Sequence, residues 1–202
     1  MFITFEGPNG VGKTAIISAV AKKFSELGVD VFRTKEPTES LLGKFLREGE
    51  ESYGGECLAC LAAADRYFHL EREIVPALSQ GKIVLSDRYV ESSLVLQRLD
   101  GCTLEFIWEL HSRILIPDLS IILIAEPAVL HQRLTTEREK LSRFERNESR
   151  EKEVLFYREA AEFISQRGFN VLLLANDVCP LAENTNCIVK EIQELNEKGK
   201  ER

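Results

Sequence analysis

The sequence has little of what marks exported, membrane-bound or disordered chains. It contains six prolines and five cysteines in 202 residues, and an odd number of cysteines does not fit a complete set of disulfides. No apolar run approaches the roughly 20 residues that span a bilayer. Met1 leads straight into Phe2 to Phe5, with neither the basic region nor the cleavage site of an export signal. We therefore expect a cytoplasmic protein with reduced thiols and no membrane partner.

A zinc ribbon is also disfavoured, although Cys57 and Cys60 form a CxxC pair. Such a site needs a second pair at similar spacing, which Cys102, Cys179 and Cys187 do not provide. The surrounding sequence is rich in alanine, so we expect Cys57 and Cys60 to be small buried residues on a helix.

Positive charge is in deficit, because 26 Lys and Arg face 33 Asp and Glu and leave a net charge of -7. No nucleic-acid partner is expected, since the whole molecule repels polyanions. The chain is 44% hydrophobic, a composition that excludes disorder. A chain of this length buries roughly 70% of its unfolded surface around one core. Residues 1–202 are therefore expected to form a single domain.

Short apolar runs alternate with segments of helical spacing along the chain. The runs that predict buried strands are Phe2 to Phe5, Val29 to Phe32, Ile83 to Leu85, Leu119 to Ala125 and Phe169 to Ala175. The predicted helices are Ala15 to Leu27, Glu56 to Leu78, Glu91 to Arg98, Leu104 to Leu115, Pro127 to Arg133, one opened by Ser149 and a last one opened by Pro180. This alternation predicts an α/β fold with a parallel sheet. The tail from Glu194 to Arg202 is expected to fray.

A phosphate-binding loop follows the first predicted strand and precedes the first predicted helix. It matches GxxxxGK[ST] with Gly7, Pro8, Asn9, Gly10, Val11, Gly12, Lys13 and Thr14. The glycines let successive main-chain N–H groups and the helix N-terminus converge on phosphate oxygens. Lys13 is then expected to reach the β and γ phosphates of ATP, and the Thr14 hydroxyl to bind Mg²⁺. An ordinary glycine-rich turn would not explain why Lys13 and Thr14 follow Gly12.

The loop alone does not decide the class of nucleotide-binding protein. Regulatory GTPases need a DxxG and an NKxD sequence, and neither is present. Large ATPase motors usually have a longer chain. A small phosphotransferase is the class that remains.

A second polar group lies at the end of the third predicted strand. Asp87 and Arg88 occupy the sheet edge where open α/β folds hold ligands. Asp87 is a candidate Mg²⁺ ligand and Arg88 a candidate phosphate ligand, although a structural ion pair between them is the alternative. Asp65 and Arg66 interrupt a long apolar helix, which fits either a buried salt bridge or a ligand-facing arginine.

Four stretches together resemble the thymidylate kinases, the family that phosphorylates dTMP with ATP. They are Ile3 to Gly7, Lys35 to Thr38, Ala62 to Arg66 and Pro76 to Gln97. The Asp-Arg-Tyr-x-x-Ser-Ser block that begins at Asp87 is the most specific of these motifs, and the likeness runs from Met1 to about Phe163. It implies the P-loop nucleoside monophosphate kinase fold, with a five-stranded parallel sheet flanked by helices, a lid and a homodimer.

The resemblance also implies roles for residues on the acceptor side. Arg47 and Arg88 match the arginines that hold the acceptor phosphate, with Arg88 counted with Lys13 among the catalytic residues. Arg66 matches the arginine at the thymine edge. The remaining expected acceptor residues are Glu36, Pro37, Ser93 and Gln97.

Three residues depart from the family pattern. Ala62 stands where a stacking Phe is usual, Leu96 where a Tyr often crowds the 2′ position of the sugar, and Asn9 where the phosphate loop often has Asp. The kinase chemistry does not depend on them. The base and sugar preference stay open.

Residues 134–148 correspond to the expected lid. Between Arg133 and Arg150 there are six basic and four acidic residues, so an exposed helix face of alternating charge is the alternative. The phosphate loop contains no arginine, and an arginine on the transferring phosphoryl group is worth about 10³ to 10⁵ in rate. We therefore expect catalytic lid arginines, with Arg143 first, then Arg138 and Arg146.

The expected reaction converts dTMP to dTDP with ATP and Mg²⁺. One alternative is a deoxynucleoside kinase with Glu36 as the general base, and another is a catalytically weak nucleotide-binding adaptor. His69, His111 and His131 lack ligand spacing and are interpreted as ordinary surface or core residues. Trp108 lies on an apolar helix face that fits either the core or a dimer contact.

Overall fold

The computed structural model describes residues 1–137 and 150–200, which form an α/β fold around one parallel sheet. Its five strands are ordered β2-β3-β1-β4-β5, and every neighbouring pair is parallel. The strands are β1 (Phe2–Glu6), β2 (Val31–Lys35), β3 (Ile83–Asp87), β4 (Leu119–Ile124) and β5 (Val171–Ala175). The predicted fold class is therefore confirmed.

Helices cover both faces of the sheet. They are α1 (Lys13–Glu26), α2 (Leu41–Gly49), α3 (Gly55–His69), α4 (Val75–Ser79), α5 (Val90–Leu99), α6 (Leu104–Leu110), α7 (Pro127–Glu137), α8 (Arg150–Ser165) and α9 (Leu181–Lys200). A π-helical turn, Leu70–Ile74, joins α3 to α4. None of the helices in the described residues combines the length and the apolar character that crossing a bilayer requires.

The continuous apolar runs of the central strands follow from burial on both sides. All residues of β1 and β4 are buried, and successive side chains enter opposite cores. Phe2 packs in the core under α5 and α8, whereas Ile3 packs in the core under α1 and α9. The edge strands β2 and β5 are half-exposed instead.

Element boundaries differ from the predictions at several points. The sequence analysis missed α2, although Ser40 caps it by accepting a hydrogen bond from Gly43 N at 3.2 Å. The helix predicted over 56–78 is interrupted by the π-helical turn. The helix after Thr103 ends at Leu110, five residues before the predicted end, and α9 begins at Leu181 and runs to Lys200.

The prediction that Cys57 and Cys60 are buried is wrong. Both lie on α3 as predicted, but both are exposed, because the buried face of this part of the helix consists of Leu58, Ala59 and Ala62. Alanine on either side of a cysteine does not reveal which face of the helix packs inward.

Trp108 is partly buried and packs against the core. Its ring makes edge contacts with Phe163 at 5.5 Å and Phe169 at 6.3 Å between ring centroids. Among the two alternatives for this helix face, these contacts favour the core.

A row of buried polar side chains crosses the sheet beneath the start of α5. Thr4 is the register partner of both Ser86 and Ser120, and Ser120 Oγ donates a hydrogen bond to Glu91 Oε1. Glu91 Oε2 has no hydrogen-bond partner among the described residues. Burial, with a smaller contribution from nearby Glu6, raises the pKa of Glu91 from 4.5 to about 8.

We predict that Glu91→Gln flattens the pH dependence of stability. The unfolded chain loses the Glu91 proton near 4.5 and the folded chain near 8, so this residue lowers stability progressively as the pH rises through that window. At about pH 9 the variant should be more stable than the wild type by up to about 5 kcal/mol, because each unit between the two pKa values is worth about 1.4 kcal/mol, and at pH 4 the two should be alike. Urea unfolding across this range measures it, and parallel stability curves would contradict it.

Candidate active site

The phosphate loop connects β1 to α1 in a conformation that only glycine permits at its start. Gly7 has φ +134°, and a Cβ on it would lie 2.2 Å from the carbonyl oxygen of Leu123. Gly12 has φ +99° at the N-cap of α1. The main chain therefore packs directly on β4 and turns its N–H groups toward the N-terminus of α1, where phosphate oxygens bind.

Lys13 lies folded over this loop. Its Nζ donates to Gly7 O at 2.7 Å and to Pro8 O at 3.0 Å. Burial and the neighbouring Arg88 charge lower the pKa of Lys13 to about 7, against the opposing attraction of Asp87 and Glu6. A lysine with this pKa changes its protonation state when a further anion comes close to it.

One cavity of about 850 Å³ is lined by part of the phosphate loop and by all of the predicted acceptor residues, whereas Gly7, Pro8 and Val11 of the loop are not in its lining. The predicted site residues that line it are Asn9, Gly10, Gly12, Lys13, Thr14, Glu36, Pro37, Arg47, Arg66, Asp87, Arg88, Ser93 and Gln97. The predicted lid arginines Arg138, Arg143 and Arg146 lie outside the described residues. The fold therefore brings segments from five parts of the sequence to one edge of the sheet.

Arg88 lines this cavity and has a left-handed backbone conformation with φ +79°. Its guanidinium donates to Asn9 Oδ1 at 2.5 Å, to Ser92 Oγ at 2.8 Å and to Tyr157 Oη at 3.3 Å. No ion pair joins Arg88 to Asp87 in the part of the chain that the structure describes. Neutral partners fix the orientation of Arg88, so its charge stays available to a phosphate.

The conformation of the Arg88 segment depends on Glu6, which the sequence analysis did not single out. Glu6 Oε1 accepts from Tyr89 N at 2.5 Å, and Glu6 Oε2 accepts from Ser92 Oγ at 2.7 Å. Burial raises the pKa of this carboxyl, although Arg88 opposes the shift. A glutamate at the end of β1 thus holds the start of α5 in place.

Arg47 projects from α2 toward the loop after β2. Its Nη1 donates to Pro37 O at 2.8 Å and to Thr38 O at 2.9 Å, and Nη2 pairs with Glu39 at 3.3 Å. The side chain is 36% exposed. The guanidinium of Arg47 is therefore anchored to the loop after β2, and its side chain is still partly open to the cavity.

Asp65 fixes the loop after β2 from its buried side, a role that the sequence analysis missed. Its carboxylate accepts from Thr38 N at 2.8 Å and from Thr38 Oγ1 at 2.5 Å. The side chain is 1% exposed. Of the two alternatives for this polar pair, the structure shows a buried salt bridge of Arg66, but its partner is Glu36 rather than Asp65.

Each N–H group of the Arg66 guanidinium has a partner within the protein. Nε donates to Glu36 Oε2 at 2.9 Å, and Nη2 donates to Tyr89 O at 2.7 Å and lies 2.8 Å from Glu36 Oε2. Nη1 donates to Ser93 Oγ at 3.0 Å and contacts His111 Nε2. Arginine has five N–H groups, so Arg66 acts here as the centre of a buried network.

Gln97 offers the free polar group on this side of the cavity. It is 5% exposed and lines the cavity, yet its amide makes no hydrogen bond with any residue in the described ranges. It lies one turn after Ser93 on the buried side of α5. The small Ala62 and the apolar Leu96 line the same space, so a ring has room beside the amide.

Two residues that the sequence analysis missed hold the far side of the phosphate loop. Asn176 Nδ2 donates to Val11 O at 2.7 Å, and Arg133 Nη1 reaches Val11 O at 3.4 Å. Both follow or face the carboxyl ends of β4 and β5, where ligands bind in such sheets. Position after a strand was the only signal in the sequence that pointed to them.

Comparison with known proteins gives one family. The family model described as "Thymidylate kinase" matches residues 5–174. A protein named "Probable thymidylate kinase" from Caldivirga maquilingensis is 38% identical over 151 residues, which cover 73% of this chain and 73% of that protein. Proteins of the same name are 41% identical in Pyrococcus abyssi, over 60% of this chain and 63% of that protein, and 40% identical in Pyrobaculum calidifontis, over 72% and 74%.

We predict that the protein takes up a proton when a triphosphate binds at about pH 8. Lys13 has a pKa of about 7, and an adjacent polyanion raises this pKa, so the lysine gains a proton on binding. Calorimetric titration of ATP in buffers of different ionisation enthalpy measures this uptake. Adenosine, which has no phosphate, is the matched control. Equal binding enthalpies for ATP in all buffers would contradict the prediction.

Proposed function

Because the chain belongs to the thymidylate kinase family, we propose that it transfers the γ-phosphate of ATP to dTMP and releases ADP and dTDP. The observation that carries the proposal is the single cavity that contains both the phosphate loop and the arginines Arg47 and Arg88. Two separate phosphate-binding groups facing one space suit two phosphorylated substrates placed end to end.

In this proposal the loop amides and Lys13 bind the β and γ phosphates of ATP. Arg88 lies between the loop and the acceptor side, and Arg47 holds the acceptor phosphate from the opposite wall. The attacking oxygen belongs to a phosphate monoester whose second pKa is about 6, so it is already ionised near neutral pH. No general base is needed, and the work of the site is positioning and charge neutralisation.

Two side chains of the cavity lining carry oxygen groups that would suit a magnesium ion. Thr14 supplies a hydroxyl and Asp87 a carboxylate, and both line the cavity beside Lys13. Oxygen ligands of this kind are those that Mg²⁺ prefers. We propose that Thr14 and Asp87 hold the ion, which would supply charge neutralisation at the transferring phosphoryl group.

The acceptor base is proposed to contact Gln97. Its amide carries a donor, Nε2, and an acceptor, Oε1, on the same carbon, and these match the O4 and N3–H of thymine. Arg66 approaches the same face of α5 through Ser93, and this positive charge favours a carbonyl at position 4 over an amino group. In this proposal Arg66 acts by orienting Ser93 and Glu36.

The deoxynucleoside kinase alternative finds little support in the surroundings of Glu36. Burial raises the pKa of Glu36, but Arg66 and His69 outweigh burial and hold the pKa below its usual value. A general base works best when its pKa lies near the operating pH. The adaptor alternative leaves unexplained why Arg47 and Arg88 both line the cavity.

We also propose that the protein is cytoplasmic and pairs as a homodimer, as its family resemblance implies. Exposed apolar side chains on α2, Leu41 at 85% and Phe45 at 47%, support a partner surface on this helix. Light scattering on the purified protein measures its mass in solution.

An acceptor panel tests the proposed function. With ATP and Mg²⁺, dTMP should release ADP at least 100-fold faster than thymidine, since only the monophosphate is held by Arg47 and Arg88. dUMP, dCMP, UMP and CMP in the same coupled assay report the base and sugar preference. Thymidine as the better acceptor would favour the deoxynucleoside kinase, and no release with any acceptor would favour the adaptor.

The lid arginines form a further prediction. The phosphate loop has no arginine, so Arg143, followed by Arg138 and Arg146, is proposed to contact the transferring phosphoryl group. Arg143→Ala should lower kcat by about 100-fold while changing the KM for dTMP little. Lys140→Ala, which removes a positive charge three residues earlier in the sequence without removing an arginine, is the matched control, and its kcat should stay within about threefold of the wild type. An unchanged kcat in Arg143→Ala would contradict the proposed role of Arg143.

A further inference from the structure

Two buried histidines flank the Glu36 and Arg66 pair, and their hydrogen-bond partners differ in kind. His111 Nδ1 lies 2.7 Å from Ile107 O, which can only accept, so Nδ1 carries a hydrogen. His111 Nε2 faces Arg66 Nη1, which can only donate, so Nε2 is bare. These contacts make His111 a neutral ring.

His69 faces acceptors on both sides. Its Nδ1 lies 3.0 Å from Glu36 Oε1, and its Nε2 lies 2.7 Å from Thr34 Oγ1. Thr34 has one hydroxyl hydrogen, which it donates to Glu73 Oε2 at 2.7 Å. The Thr34 oxygen therefore receives a hydrogen from Nε2, and the Glu36 carboxylate receives one from Nδ1.

We propose that His69 is a positioning residue of the acceptor site. Its ring is doubly protonated and links the Glu36 carboxylate, through the Thr34 hydroxyl, to the partly exposed carboxylate of Glu73. The inference rests on the proposed function, because it gives Glu36 its role beside the acceptor. His69 does not touch the substrate; it acts through Glu36.

The surroundings of His69 supply the negative charge that such a cation needs. Glu36 lies on the loop after β2, and Glu73 lies in the π-helical turn with Nε2 to Oε2 at 3.6 Å. Arg66, one turn earlier on α3, is the opposing positive charge and is itself paired with the other oxygen of Glu36. The His69 side chain is fully buried, whereas that of Glu73 is 34% exposed.

The arrangement orients Glu36 from both of its oxygens. Arg66 binds Oε2 and His69 binds Oε1, and the two residues are spaced three apart on one face of α3. Glu36 N also donates to Asp87 O at 2.9 Å. A carboxylate held in this way presents its remaining lone pairs to the cavity in one orientation, which suits a hydroxyl of the acceptor sugar.

Ring ¹⁵N spectra test the protonation state without any assay of turnover. The chain has three histidines, so variants His69→Gln and His131→Gln assign the signals. At pH 7 the His69 ring should show two protonated nitrogens of similar shift, and His111 one protonated and one bare nitrogen. A bare nitrogen on His69 would overturn the inference. This result stands whether or not dTMP is the substrate.

Kinetics test the positioning role. His69→Gln should raise the KM for dTMP about tenfold and leave kcat within about threefold, and His69→Leu should raise it further because it donates to neither partner. His131→Gln, an exposed site on α7, is the matched control and should match the wild type. An unchanged KM in the His69 variants would overturn the inference.

Thermal melting shows whether the His69 variants fold. If they do not, Glu73→Gln provides the test instead. It changes only the outer, partly exposed carboxylate, and it should raise the KM for dTMP about threefold and weaken the doubly protonated His69 signal. Wild-type behaviour in both readouts would overturn the inference. A wild-type protein that phosphorylates no dTMP would instead contradict the proposed function, and the ring spectra would still decide the state of His69.

Discussion

Repulsion between two phosphorylated substrates is the constraint on which this site depends. Each substrate carries negative charge, and so does the protein as a whole, at -7. The cavity reverses this locally with Lys13, Arg47 and Arg88 in its lining. At close range inside a protein such charges act far more strongly than in water, so their placement determines whether the phosphates can meet.

Most groups that orient these cations are uncharged. Asn9, Ser92 and Tyr157 hold Arg88 without neutralising it, and main-chain carbonyls hold Lys13 and Arg47, although Arg47 also pairs with the exposed Glu39. Buried carboxylates in turn position the segments that carry these cations and the neighbouring Arg66. Glu6 fixes the start of α5, Asp65 the loop after β2, and Glu36 the Arg66 guanidinium. The polar layer therefore prepares the site before any nucleotide binds.

The sequence predicted what depends on local patterns. Gly7 to Thr14 could be recognised because strand, loop and helix follow one another directly, and the apolar strands because burial on both faces leaves continuous runs. The roles of Asp65 and His69 were invisible, since their partners Thr38 and Glu36 lie 27 and 33 residues away. Arg66 could be identified as unusual, but only the structure shows that its donors are already engaged.

The central claim is that one cavity aligns two nucleotides through their phosphates. The most direct test is calorimetric binding of a compound that joins adenosine to thymidine through a phosphate chain long enough to span both sites. The account predicts one compound bound per chain, more tightly than ATP or dTMP alone, and displaced by either nucleotide. A compound that ATP displaces and dTMP does not would contradict it.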